Sequence, residues 1–411
     1  MAEKSKPTEL AHWDIGKNLK LFFFDEVSPG SCFFLPKGTL VVNRLMNLIR
    51  GLYKKHNYQE VHTPAICDKK LWVESGHWDK YKENMFKLKP NENDAENQQE
   101  NAIEFSLCPM NCPKHAKMFQ HMHPSYRELP IRLSDFGVLH RQESSGSLRG
   151  LTRAFAFKQD DSHVFCTHDQ IEAEIETILQ MVDYVYKLFN LKYELTLSTR
   201  PEKYIGEVEL WDRAETILAK CINKHVQQYE SSPDGAFYGP KIDIMVEASG
   251  KKFQLGTVQL DFNLPQRFDL KYSTDDPKNP LAQPVMIHKA VLGSLERFLA
   301  ILLEHTQGQL PPWLSPRQVA ILPVSDKHSE YAASVKKQIL DINPDIQLDI
   351  FTDKSIPKRV REAEMLKYNY ILVVGDKESS NGSVNLRTSG TTIGELTFPQ
   401  LSAMLQETKL S

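Results

Sequence analysis

The sequence predicts an α+β domain, an antiparallel or mixed sheet flanked by helices, followed by a smaller α/β domain. Three observations lead there. The chain has 411 residues, enough for two or three domains at roughly 150 residues each. Between residues 131 and 290, β-type segments follow one another (131–138, 154–157, 241–246, 253–262, 284–290) without a regular crossover helix after each. Past Pro311-Pro312-Trp313 the pattern changes to strands alternating with helices, which calls for a largely parallel sheet.

Element by element, Leu45, Ile49 and Leu52 share one face of a helix over 40–56, which leads into an extended Tyr58-Gln-Glu-Val61 and then Thr63-Pro64. The polar, Asn/Gln/Glu-rich stretch 89–104 predicts a surface loop. Leu295, Phe298, Leu299 and Leu302 recur at i, i+3, i+4 and i+7, an amphipathic helix starting near Gly293. Beyond the break come a strand (319–324), a helix (330–340), a strand (348–351), a helix (356–367) and a strand (370–374) ending at Gly375. The boundaries expected are 1–11 for an N-terminal extension, 12–310 for the first domain and 314–411 for the second.

Charge excludes a generally polybasic protein: 50 basic residues stand against 53 acidic ones, a net of −3. A local basic face remains open. Residues 314–411 carry 12 of each sign, so a nucleic-acid surface there must be local, with Lys354, Lys358, Arg359 and Arg361 as its best place. No apolar run reaches the roughly 18 residues of a membrane span. The N-terminus has no apolar signal core and is too acidic for a mitochondrial presequence, and six cysteines are few for this length. The expected compartment is the cytoplasm, with the mitochondrial matrix as the alternative.

Neither GxxxxGK[ST] nor a strand followed by GxGxxG occurs. A nucleotide would then be held by arginines, whose planar forks pair with phosphate oxygens. Arg141, in Phe136-Gly-Val-Leu-His-Arg-Gln-Glu143, and Arg297, in Gly293-Ser-Leu-Glu-Arg297, are the candidates. For metal, Cys108-x₃-Cys112-x₂-His115 reads locally as a structural zinc clip.

A resemblance covers nearly the whole chain from His12. Arg141-Gln-Glu143, Gly146-Ser-Leu-Arg-Gly-Leu-Thr-Arg153 and Phe157-Lys-Gln-Asp-Asp-Ser-His163 resemble motif 2 of the class II aminoacyl-tRNA synthetases. Gly293-Ser-Leu-Glu-Arg297 resembles motif 3, and the segment ending Thr63-Pro64 resembles motif 1. Met110-Asn-Cys-Pro113, Gly76-His-Trp-Asp-Lys-Tyr81, Gly235-Ala-Phe-Tyr-Gly-Pro-Lys241 and Val285-Met-Ile-His288 narrow it to the threonyl-tRNA synthetases. Gly375-Asp-Lys-Glu378 and Val384-Asn-Leu-Arg387 are similar to that family's C-terminal anticodon-binding domain.

The resemblance implies the following. A class II antiparallel sheet forms the catalytic domain, and the α/β domain reads the tRNA anticodon through Glu378 and Arg387. ATP, with Mg²⁺, is bound by Arg141, Glu143, Arg153, Phe157, Gln254, Thr257, Ser294 and Arg297. Arg141 holds the α-phosphate, Glu143 contacts the adenine amino group, and Phe157 and Arg297 sandwich the ring. One Zn²⁺ per chain is held by Cys112, His163 and His288, with threonine's amino and hydroxyl groups at the open positions. Asp161 bonds those same groups, while Met110, Gln159, Tyr238, Lys241 and Gln259 line the rest of the threonine pocket. Arg141 and Arg297 are catalytic, and His77 moves a proton when the tRNA hydroxyl attacks. The product is threonyl-tRNA(Thr), formed by a homodimer with motif 1 at its interface.

Three departures stand out. Ala154-Phe155-Ala156 replaces the usual basic residues of motif 2. Lys114 replaces a glycine, so strain is expected if the position needs positive φ. Cys108 takes a position that is not cysteine in the family. The family's N-terminal modules include a domain that hydrolyses seryl-tRNA, and about 11 residues precede the core here; a chain that does not clear seryl-tRNA by itself is the expectation. Two other readings remain: a non-charging, synthetase-like RNA-binding paralogue, opposed by Arg141, Glu143 and Arg297, and a related class II enzyme for serine or proline, opposed by Cys112, Asp161, His163 and His288.

Overall fold

The computed structural model describes residues 10–88, 104–248, 250–388 and 390–409. The expectations for residues 1–9 and for the polar stretch 89–103 lie outside the described residues. Packing divides the chain in two. One unit takes residues within 26–32 and 49–301, the other those within 1–25, 33–48 and 302–411.

The first unit is built on an eight-stranded sheet. From edge to edge it runs Glu230–Ser232, Glu194–Ser198, Lys241–Ala248, Lys251–Asp261, Val285–Ala290, Asp161–Cys166, Ile131–Asp135 and Gln59–Glu60. The central pairings are antiparallel, and the outermost pair at each edge is parallel. Alternation along Asp161–Cys166 shows how the sheet is used. Asp161, His163 and Phe165 share one face and Ser162, Val164 and Cys166 the other, yet every one is buried. Both faces are therefore covered. The helix Ile171–Leu188 buries Ile171, Ile175, Ile178, Val182 and Val185 along a single stripe. On the opposite face the helix Cys112–Met122 sets Phe119 on Phe165, ring centroids 4.5 Å apart. The sequence reading assigns no helix to either stretch, nor to Val208–His225.

In the second unit the strands run Leu348–Ile350, Val319–Pro323, Tyr370–Val374, Ser383–Thr388 and Thr391–Thr397. The first three are parallel; the last two add an antiparallel hairpin that the alternating pattern does not announce. Val319, Ile321, Leu372 and Val374 pack on one side with Ile339 and Leu401, while Ala320, Leu322 and Ile371 pack on the other with Ala363 and Tyr368. N-terminal residues belong to this unit as well: His12 Nδ1 meets Glu304 Oε1 at 2.8 Å, and Arg44 donates to the Ser315 carbonyl. No helix among the described residues is long and apolar enough to cross a membrane.

Candidate active site

Strand register alone lays out the floor of a cavity of about 320 Å³ in the first unit. His163 stands opposite His288, His288 opposite Gln259, and Gln259 opposite Lys241, a row crossing four antiparallel strands. One step along, Thr257 lies opposite both Ala290 and Asp243. Asp161, two residues before His163, shares its face, and both line the cavity.

Cys112 opens the helix Cys112–Met122 and comes over this row. Its sulfur and one nitrogen each of His163 and His288 lie within 4.8 Å of one another, all in buried residues. The other ring nitrogens are occupied. His163 Nδ1 is 2.7 Å from His115 Nδ1, and His288 Nε2 is 2.8 Å from Asp261 Oδ2. That leaves Nε2 of His163 and Nδ1 of His288 for a ligand. Burial holds His163 neutral, far below the usual imidazole range. Burial, with Asp161 and Asp261 nearby, pushes the Cys112 thiol well up, so a bound cation is what would keep it as thiolate. One sulfur and two imidazoles are a zinc donor set, and three protein donors leave a position open.

The local clip reading does not hold. Cys108 Sγ turns to Cys67 Sγ, 3.3 Å away, and His115 is engaged with His163. The residues supporting a metal's ligands fix their tautomer and orientation, and losing one typically weakens metal binding by about 10–100-fold. His115→Ala should show that loss by competitive chelation, with His115→Asn, which keeps an acceptor near the Nδ1 position, recovering most of it.

The other end of the cavity carries the arginines. Arg141 Nε donates to the Pro109 carbonyl at 3.2 Å, and its guanidinium lies 5.0 Å from the Phe157 ring centre. Arg297 donates to the carbonyls of Thr152 and Gln254, at 2.9 and 3.0 Å. Ser294 Oγ accepts from the Arg297 backbone N–H at 3.2 Å. Glu143 accepts two bonds from Arg153. The cavity thus brings together Arg141, Glu143, Arg153, Phe157, Gln254, Thr257, Ser294 and Arg297 with Met110, Gln159, Asp161, Tyr238, Lys241 and Gln259.

His77 is not on that lining. It is fully buried one layer behind, its Nε2 4.0 Å from Cys112 Sγ and its Nδ1 2.8 Å from Ser75 Oγ. Burial, with His288 and two arginines nearby, lowers its pKa to about 3. Glu378 and Arg387 lie in the other unit. Glu378 accepts the Gly375 N–H at the start of its own helix, and Arg387 donates to Thr392 and Glu364. Of the basic cluster expected in that unit (Lys354, Lys358, Arg359 and Arg361), Arg359 is buried and donates to the carbonyls of Pro323 and Thr352.

Two carboxylates that sequence reasoning missed organise the rest. Asp160 accepts the backbone N–H groups of Val291, Leu292 and Gly293 at 2.7, 3.1 and 2.9 Å, and the Tyr53 hydroxyl. It thereby fixes the turn that presents Ser294 and Arg297. Asp243 accepts from the Lys241 ammonium, the Gln254 amide and the hydroxyls of Thr257 and Ser198. The available signal was position: Asp243 follows Lys241 by two residues along one strand, hence on one face.

Among the departures, Lys114 is unstrained. It sits in the first turn of the helix Cys112–Met122 and is not among the positive-φ residues, so the position does not need glycine. Phe155 fills space, its ring edge-on to Phe86 and against Gly30.

A largely antiparallel sheet flooring one cavity that gathers two arginines and a Cys–His–His triad, with a separate α/β unit, defines a class II tRNA synthetase core joined to an anticodon-binding domain. The family model for the tRNA synthetase class II core domain (G, H, P, S and T) matches residues 86–306, and that for the anticodon binding domain matches 318–408. The chain belongs to the threonyl-tRNA synthetase family. It is 52% identical over 378 residues to the mitochondrial threonine–tRNA ligase 1 of Arabidopsis thaliana, covering 92% of this chain and 52% of that one. It is 47% identical over 401 residues to the cytoplasmic threonine–tRNA ligase 1 of Rattus norvegicus, covering 97% and 56%. The crystal structure of the RNA binding domain of threonyl-tRNA synthetase from Cryptosporidium parvum superposes with a TM-score of 0.91 at 45% identity, over 98% of this chain and 99% of that one. The chain spans about half the length of the curated relatives it matches.

Proposed function

We propose that the chain activates L-threonine with ATP and transfers it to tRNA(Thr), as a catalytic domain over 12–310 followed by an anticodon-binding domain over 314–411. The observation that carries this is the placing of Cys112, His163, His288 and Asp161 in the same cavity as Arg141 and Arg297. A bound zinc would offer its open positions to threonine's amino and hydroxyl groups. Asp161 accepts hydrogen bonds from both groups, and Tyr238, Met110, Gln159 and Gln259 enclose the side chain. Lys241 lines the threonine pocket with them. Arg141 pairs with the α-phosphate of Mg²⁺–ATP, so that charge building on phosphorus meets a fixed cation in a water-poor site. Phe157 and Arg297 hold the adenine between them, Glu143 accepts from its amino group, and Arg153, Gln254, Thr257 and Ser294 complete the nucleotide site.

His77 is assigned to proton movement during transfer on the family resemblance alone: it lies buried behind the lining, and a pKa lowered to about 3 makes it a weak base by itself. Threonine-dependent ATP–pyrophosphate exchange, run beside serine, valine and proline, tests the whole reading: exchange with proline or serine and none with threonine would overturn it. Failure to charge tRNA(Thr) despite normal exchange would favour the non-charging paralogue. The relatives bear both cytoplasmic and mitochondrial names; cytoplasm is the compartment proposed here.

Anticodon reading is assigned to Glu378 and Arg387, since unstacked bases are recognised by hydrogen bonding and stacking. A truncation after Trp313 is a poor test, because residues within 10–25, 33–48 and 302–310 would lose the unit they pack in. Arg387→Ala is cleaner. It should lower kcat/KM for tRNA charging about tenfold or more, the order of one lost charged contact, and leave exchange unchanged.

A homodimer is also proposed. Gln59–Glu60, which leads into Thr63-Pro64, is an edge strand of the eight-stranded sheet and leaves backbone groups open to a second copy. Light scattering at micromolar concentration should give twice the 47.2 kDa chain mass; a fully active monomer would contradict it.

A further inference from the structure

Two of the departures from the family pattern, Cys108 and Lys114, meet outside the cavity lining. Cys67, in the strand Ile66–Asp68, is the cross-strand partner of Ser106 in Phe105–Leu107. Cys108 lies two residues beyond Ser106 and is therefore a diagonal neighbour of Cys67 on the same face. Its sulfur is within donating distance of Cys67 Sγ, 3.3 Å away. Cys108 Sγ is also 3.4 Å from the Pro64 carbonyl oxygen, and Lys114 Nζ donates to that same oxygen at 3.0 Å. Cys67 is partly exposed, while Cys108 is buried with Trp72 and Met85. A partly exposed cysteine with a second thiol behind it and an ammonium alongside is an arrangement that the zinc triad does not use.

We propose that Cys67 and Cys108 are a peroxide-reactive thiol pair that closes into a reversible disulfide beside the active site. The attacking species in such chemistry is the thiolate. The hydrogen bond from Cys108 lowers the Cys67 thiol to about 7 against the opposing effect of burial, and Lys114 adds to the lowering. Cys67 thiolate attacks one oxygen of hydrogen peroxide, breaking the O–O bond, to give a sulfenic acid and hydroxide. Cys108 sulfur then attacks Cys67 sulfur and expels the hydroxyl group, which leaves as water with the Cys108 proton. The two thiols lose two protons and two electrons, and the peroxide becomes two waters.

The bond reaches the cavity through the backbone. The Cys108 carbonyl accepts the His140 N–H at 3.0 Å, the next carbonyl, of Pro109, holds Arg141 Nε, and Met110 and Cys112 follow. Shortening the sulfur separation to about 2.0 Å draws on this segment, and a displacement of about 1 Å at reacting groups can cost on the order of 10²-fold in rate.

The test treats the reduced, zinc-loaded full chain with hydrogen peroxide. Intact mass is expected to fall by two hydrogens, and peptide mapping to join the Cys67 and Cys108 peptides. Threonine-dependent exchange should drop on the order of 10–100-fold and return with a dithiol reductant. Cys67→Ser should form no crosslink and keep its activity through the same treatment, and Cys108→Ser should halt at a Cys67 sulfenic acid that dimedone traps. The crosslink is read by mass and does not depend on threonine activation; only the activity arm rests on the proposed function. An untreated chain without exchange activity would thus count against that function and leave the crosslink measurable. An unchanged mass, or over-oxidation of Cys67 without crosslinking, overturns the pair. Equal zinc release and activity loss in native and Cys67→Ser chains places the oxidation at Cys112 and also overturns it. A crosslink that leaves exchange intact overturns the coupling to the cavity.

Discussion

Cys112→Ala is expected to lose zinc and to lower threonine activation by on the order of 10⁴-fold, the scale on which a site built to bind a hydroxyl depends on the group that binds it. Three donors from three segments converge here, and each has its own support. Cys112 is fixed by the helix it opens, His163 by His115, and His288 by Asp261. Removing the sulfur leaves two imidazoles, a weaker set for zinc. Elemental analysis and the exchange assay measure the two losses together. A Cys112→Ala protein that keeps one zinc per chain and activates threonine normally would overturn the assignment. His115→Ala should fall between this variant and the native protein, because it disturbs a ligand's orientation and leaves all three donors in place.

How much of this was legible depended on the kind of signal. Strand existence was readable from local composition. Segments such as 253–262 and 284–290 set apolar β-formers among polar residues that line the cavity (Gln254, Thr257, Gln259, His288 and Lys289), and the observed Lys251–Asp261 and Val285–Ala290 depart from them only at the ends. The helix Cys112–Met122 was not readable. Its buried face includes Cys112, Lys114 and His115 with Ala116 and Phe119, so polar residues occupy positions where an apolar stripe would be sought. The helix Ile171–Leu188 is different: its stripe is regular, and the signal was there to be used.

Within the cavity, the residues carried over from family motifs lie together on one lining. Asp160 and Asp243 touch other protein groups, and their importance lies in cross-strand neighbours more than 100 residues away in one case (Val291) and 11 in the other (Gln254). Pairing register is not written in either strand alone. The same holds for Cys67 and Cys108, 41 residues apart, whose closeness follows from the pairing of two three-residue strands.

Valine should be rejected far more strongly than serine in the activation step. Valine nearly matches threonine in shape but lacks the hydroxyl. In its complex the Asp161 carboxylate, in a residue only 8% exposed, would keep the amino group and lose the hydroxyl as a bonding partner, and the metal would lose the same hydroxyl. Sites that hydrogen-bond a substrate hydroxyl reject the analogue lacking it by about 10⁴–10⁵-fold. Serine keeps both polar groups and lacks one methyl. The cavity wall near the metal triad, with Met110 and Tyr238, can register that loss only as missing contact. A missing carbon is worth about 1–3 kcal/mol, or roughly 10–200-fold. Steady-state exchange kinetics should therefore place kcat/KM for serine within about two orders of magnitude of threonine and valine below both by two or more. Asp161→Asn should narrow the threonine–valine gap by weakening threonine more than valine, since valine uses the carboxylate through its amino group alone and threonine through its amino and hydroxyl groups. Valine activated as well as serine by the native chain would show that the hydroxyl is not what this cavity reads.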